Sequence, residues 1–131
     1  IYNIMSIKSP QTLVAEALKM VKTISPEEAL KLTNEKKCNL IDIRDEMELE
    51  KQGRIENSIP ISRGMLEFSI HPESAFAQIN NLDLNKETVL FCAGGARSAL
   101  AAKSLKEMGF SNVSHVDGGF GLMKQKGFKV I

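Results

Sequence analysis

Cysteine, net charge, long apolar runs and repetitive sequence are all scarce in this chain, and each shortage excludes a class of protein. Two cysteines among 131 residues cannot make a disulfide framework. Cys38 falls at the start of one expected strand and Cys92 at the end of another. If those strands are parallel, several residues at about 3.3 Å each separate the sulfurs, more than the Cα spacing of about 7 Å that a disulfide tolerates. A reducing compartment, the cytoplasm, is therefore expected, with Cys38 a small buried apolar residue. The formal net charge is +1, so no footprint for nucleic acid or a membrane surface stands out. No apolar stretch approaches the about 20 residues of a membrane span, and the N-terminus lacks the basic and apolar regions of a signal peptide. Ile1 in first place suggests foreign or truncated sequence there, with Met5 as a natural start. His71 and His115 lack ligand-type spacing to any cysteine or acid, so neither a metal nor another cofactor is assigned.

What remains is an ordinary globular balance, 43% hydrophobic and 25% charged, in a length that suits one hydrophobic core. Ser9-Pro10 reads as N-cap and first residue of a helix ending near Lys22, with Leu13, Val14, Ala17, Leu18 and Val21 on one face. Ile24 begins a short strand. Ser25-Pro26-Glu27-Glu28 is a capping box. Leu40-Ile41-Asp42-Ile43 is an apolar strand carrying one acid. Glu46 to Gln52 is a charged helix stopped by Gly53, Ile59-Pro60-Ile61 is extended, and Arg63 to Phe68 is another short helix. His71-Pro72-Glu73 opens a loop or helix towards Asn80. Val89 to Phe91 and Val113 to Val116 are strands, and helices run from Ser98 to Met108 and from Phe120 to Gln125. Short strands alternating with helices indicate an α/β fold, a parallel sheet with helices on both faces.

One stretch carries chemistry. Val89-Leu90-Phe91 runs into Cys92-Ala93-Gly94-Gly95-Ala96-Arg97-Ser98, placing a thiol where a buried strand ends and a helix begins. Unpaired N–H groups and the helix dipole stabilise an anion there. The thiol is therefore expected to ionise below its free value of about 8.5. Gly94 and Gly95 let the backbone fold around the sulfur without Cβ clashes. The expected donors are the amides of Ala93, Gly94, Gly95, Ala96, Arg97 and Ser98, holding an anionic sulfur at the loop's mouth with no local base. Ser98 reads as an N-cap. Arg97 either attracts an anionic substrate or braces the loop through a nearby acid. Arg63, following a strand, should emerge at the same sheet edge and help bind an anion.

Cys92 to Arg97, six residues inclusive, resembles the active-site loop of the rhodanese-like sulfurtransferases. Asp42-Ile43-Arg44 resembles that family's strand-ending D-x-R, with Arg44 either anion-facing or, with Asp42 and Asp45 or Glu48, a bracing network. Glu48, Gly53, Ile55 and Ser58-Ile59-Pro60 resemble a further family pattern with one residue fewer before proline and Arg54 where histidine is frequent, and Asp117-Gly118-Gly119 resembles its D-G-G turn. The resemblance spans roughly residues 24 to 128. It implies a three-layer domain over 24–131 with a five-stranded parallel sheet, preceded by an N-terminal helical extension over 1–23. It also implies sulfur transfer through a Cys92 persulfide, from a small anionic donor such as thiosulfate to cyanide, a thiol or a protein acceptor. The alternatives are a non-enzymatic binding or sulfur-carrier module and a phosphatase. Phosphatases of this fold carry one residue more between cysteine and arginine.

Overall fold

Strand residues alternate between two apolar faces, and that alternation sets the layers. In the computed structural model, which describes residues 3–131, Leu40, Val89, Phe91 and Val116 look to one side of the sheet. Ile41, Leu90 and Val113 look to the other. The strands are β1 Lys22–Ile24, β2 Cys38–Asp42, β3 Ile59–Pro60, β4 Glu87–Phe91 and β5 Val113–Val116. They pair in parallel in the order β1-β5-β4-β2-β3. Two helices, α2 Pro26–Asn34 and α7 Gly119–Gln125, bury Ala29, Phe120 and Met123 on the first face. On the second, α4 Leu66–Ile70, α5 Ala75–Ile79 and α6 Ala96–Met108 bury Leu66, Ile70, Ala101, Ala102 and Leu105. The helix α1 Pro10–Leu18 packs on α6. The expected five-stranded parallel sheet with helices on both faces is present.

Local differences have local causes. α1 ends at Leu18 rather than near Lys22, because Lys22 and Thr23 belong to the sheet, opposite Ser114 and His115. Ser25 caps α2 by accepting from the Glu28 amide, but the reciprocal capping box forms elsewhere, between Asp45 and Glu48 at the start of α3 Glu46–Gln52. Arg63–Met65 is a 3-10 turn leading into α4. Cys38 is half-buried and meets the Thr33 hydroxyl, and its thiol is pushed up by burial. Ile1 lies outside the described residues.

The end of β2 carries the most deeply buried charges. Asp42 and Arg44 are 0% and 1% exposed, and Arg44 Nη2 and Nε donate to Oδ2 and Oδ1 of Asp42 at 2.8 and 3.1 Å. Arg44 also donates to the Gly53 carbonyl and the Gln52 side chain, and its guanidinium stacks 3.8 Å from the Phe120 ring centroid. The pair thus ties β2, the end of α3 and α7 together. Removing one partner strands a charge in the core. Arg44→Ala is expected to lower stability by about 3–5 kcal/mol, read as a fall in the urea midpoint at unchanged slope; a loss under about 1 kcal/mol would contradict the bracing role.

Candidate active site

The loop between β4 and α6 is shaped from behind. The amide of Phe120 donates to the Cys92 carbonyl at 2.8 Å, and that of Gly121 to the Ala93 carbonyl at 3.3 Å. In a planar trans peptide the carbonyl and the next N–H point in opposite directions. Drawing these carbonyls towards α7 therefore turns the amides of Ala93 and Gly94 away from α7. The approach needs glycine at 119, where φ is +54° and a Cβ would strike the Cys92 carbonyl oxygen and sit 2.8 Å from the Ala93 carbonyl carbon. Gly95, at φ +106°, then swings the chain into α6.

Cys92 Sγ accepts from the Gly95 amide at 3.1 Å and the Ser98 amide at 3.3 Å, and lies 3.5 Å from Ser98 Oγ. Burial pushes the thiol up. The Ser98 hydroxyl and the amides of Ser98, Gly95 and Gly94 together outweigh it, and the thiol ionises below its ordinary value. The direction agrees with the sequence expectation; the arrangement is narrower. The amides of Gly95 and Ser98 are the ones within hydrogen-bond distance of the sulfur, and those of Ala96 and Arg97 make no hydrogen bond to it. The expected full collar thus narrows to the hydrogen-bonding amides of Gly95 and Ser98, the Ser98 hydroxyl and a weaker contribution from Gly94. The sulfur also does not sit at the mouth. Cys92 is 1% exposed and packs among Ile41, Leu90 and Ala101, because its side chain turns inward to reach Ser98. Gly94 and Ala96 form an exposed rim.

Ser98 is not an N-cap. α6 starts at Ala96 with Gly95 in the capping position and no side-chain cap. Ser98 is fully buried, and its hydroxyl lies between Cys92 Sγ and His115 Nδ1, 2.9 Å from the latter. Arg97 takes the bracing alternative: its Nη1 and Nη2 donate to the two Glu48 carboxylate oxygens at 2.9 and 2.7 Å. Glu48 therefore joins Arg97 and the α3 cap, not the Asp42–Arg44 pair. Arg63 is not brought to the sulfur. Its guanidinium holds Glu67 and the Ser104 hydroxyl one helical turn and more beyond Ser98 on α6.

The roles of two residues escaped the sequence reading. Glu48 was read as part of a turn pattern and as a candidate partner of the Asp42–Arg44 pair, but not as the acid that holds Arg97. His115 was set aside for lacking metal spacing, yet a polar ring in the four-residue strand Val113–Val116, in phase with Val113, was a signal that it faces α6.

Similarity to known proteins agrees with this geometry. The family model for the rhodanese-like domain matches residues 25–126. Thiosulfate sulfurtransferase GlpE of Pseudomonas putida is 36% identical over 103 residues, 79% of this chain and 84% of that protein. A tRNA uridine(34) hydroxylase of Chlamydia trachomatis is 34% identical over 121 residues; that alignment takes in 87% of this chain and 36% of the hydroxylase, so the chain spans about a third of that relative's length. A Rhodopseudomonas palustris protein of unknown function, described as a possible tyrosine phosphatase, superposes with a TM-score of 0.84 at 35% identity, covering 100% of this chain and 99% of that one.

The Arg97–Glu48 clasp has a measurable pH signature. The guanidinium beside Glu48 holds its carboxyl down from 4.5 to about 2. A depressed carboxylate stabilises the fold above its unfolded value and loses that contribution as pH falls through the folded one. Because Arg97 is 41% exposed and solvent screens the pair, the effect is about 1 kcal/mol or less. The stability difference between the native chain and Glu48→Gln, from urea unfolding, should be largest above pH 4.5 and close towards pH 2; a difference constant across that range would contradict the assignment.

Proposed function

The chain belongs to the rhodanese-like family, and on that premise we propose that it transfers sulfane sulfur through a Cys92 persulfide. One observation carries the reading: a sulfur accepting hydrogen bonds from Gly95 and Ser98 beneath a six-residue loop. The Cys92 thiolate attacks the outer sulfur of a donor such as thiosulfate. A bond forms between Sγ and that sulfur, the donor's own S–S bond breaks, and sulfite leaves with the electron pair. A nucleophilic acceptor, cyanide or a thiol, then attacks the outer sulfur, and the Cys92 thiolate leaves. The same donors stabilise anionic sulfur before the first step and after the second. No external oxidant or reductant enters the cycle.

The sealed sulfur and the paired arginines add detail. The bond of a persulfide extends about 2 Å from Sγ, so the outer sulfur lies nearer the Gly94–Ala96 rim, and a donor arrives by displacing that rim. Arg97, Arg44 and Arg63 each hold an acid. The attraction for an anionic donor therefore comes mainly from backbone amides.

A phosphatase is the second reading, favoured by the Rhodopseudomonas palustris relative. The loop from cysteine to arginine is one residue short for it by the family's pattern. Intact-mass analysis after incubation with thiosulfate should show a gain of about 32 Da, one sulfur atom as a persulfide. Cyanide or reductant should reverse the gain, and Cys92→Ser should not show it. Hydrolysis of an aryl phosphate, with no mass gain from any sulfur donor, would overturn the reading in favour of the phosphatase.

A further inference from the structure

Behind the reacting sulfur runs a chain of polar side chains that the transfer cycle does not use. Cys92 Sγ lies 3.5 Å from Ser98 Oγ, Ser98 Oγ lies 2.9 Å from His115 Nδ1, and His115 Nε2 lies 2.9 Å from Thr23 Oγ1. The first three residues are 1%, 0% and 2% exposed. Thr23, on the edge strand β1, is exposed. The chain therefore links a sealed thiol to solvent at the margin of the sheet. Ser98 comes from the first turn of α6, His115 from the middle of β5 and Thr23 from β1, where it sits directly opposite His115.

We propose that Cys92, Ser98, His115 and Thr23 form a proton relay, in which a change of His115 tautomer accompanies ionisation of the buried thiol. Each hydroxyl and ring nitrogen can act in two directions. With Cys92 protonated, S–H donates to Ser98, Ser98 O–H donates to Nδ1, and Nε2–H donates to Thr23. With Cys92 ionised, every link reverses: Ser98 donates to the sulfur anion, Nδ1–H donates to Ser98, and Thr23 donates to Nε2. The balance is one proton. The thiol proton passes to Ser98 Oγ, the serine's hydrogen to Nδ1, the Nε2 hydrogen to Thr23, and the threonine's hydrogen to water at the sheet edge. Both states leave every buried polar atom of the chain paired, which a buried network requires.

Imidazole is the side chain suited to the middle link, because it exchanges a proton on one nitrogen for one on the other without acquiring charge. Burial favours that neutral form and holds His115 below 6.5, with Asp117 opposing. Its other close neighbours, Thr23 on β1, Leu90 on β4 and Ser98 on α6, carry no charge. Cys92, through Ser98, is thus the titrating group whose ionisation the ring senses. His115 touches no reacting atom and is a positioning residue that acts through Ser98.

This inference rests on Cys92 working as a thiolate, but its test uses no sulfur donor, so the two readings fail separately. Imidazole 15N shifts of His115 would be followed in the intact chain while thiolate absorbance is recorded, across the whole pH range over which the thiolate forms. The expected result is a rise of the Nδ1–H tautomer in step with the thiolate. The response should be absent in Cys92→Ser, which stays uncharged, lost in Ser98→Ala and restored in Ser98→Thr, which keeps the hydroxyl. A ring spectrum that stays flat while the thiolate forms, or one that responds equally in Ser98→Ala, would overturn the relay. If Ser98→Ala does not fold, the native and Cys92→Ser titrations decide the matter between them.

Discussion

The site depends on two hydrogen bonds that lie outside it. The first turn of α7 takes hold of the Cys92 and Ala93 carbonyls, and the rigidity of the peptide plane converts that grip into amides facing the opposite way. A loop left to itself would sample many orientations of those planes, each residue fixed costing about 1–2 kcal/mol of entropy. Here the cost is met by the packing of α7, through Phe120 and Met123, onto the face of the sheet away from α6. The start of the loop that carries the sulfur is thus held by a helix on the far side of the sheet, and only where residue 119 lacks a side chain can that helix come close enough.

Charge at the site is arranged in closed pairs. Asp42 with Arg44 and Glu48 with Arg97 each use both oxygens of one carboxylate against one guanidinium, the geometry in which such pairs are strongest. The first is sealed within the fold and the second lies half-open at the loop's end. Between them they fix α3 relative to β2 and α6. The field at the sulfur then comes mainly from the fixed backbone dipoles of the loop, with the Ser98 hydroxyl free to turn as charge comes and goes.

Much of this was legible in the residues. The alternation of Val89, Leu90 and Phe91 and the helical spacing of Ala101 and Leu105 gave the layers, because both periods follow from backbone geometry. Cys92 and its glycines marked the loop for the same reason. What was not legible depended on which side of a turn a group faces. Six amides were expected around the sulfur because the motif contains them; those of Gly95 and Ser98 hydrogen-bond to it and that of Gly94 contributes more weakly. Ser98 read as a cap because serine at a helix start commonly is one, and one turn of offset made it a buried bridge instead. His115 could not be weighed without its neighbour across the sheet, and that neighbour lies 92 residues away in sequence.

That separation has a bearing on how the molecule comes into being. Among the described residues β1 pairs only with β5, so the ladder at that edge closes between the first and last of these strands, the kind of distant pairing that slows folding because chain must be gathered before contacts reward it. During synthesis, one side of the sheet can assemble from β2, β3 and β4 while Thr23 still waits for a partner that the ribosome has yet to deliver. The β1 edge of the sheet is accordingly the last part of the molecule to mature, and a nascent chain carries its reactive thiol before it carries the surroundings that govern it.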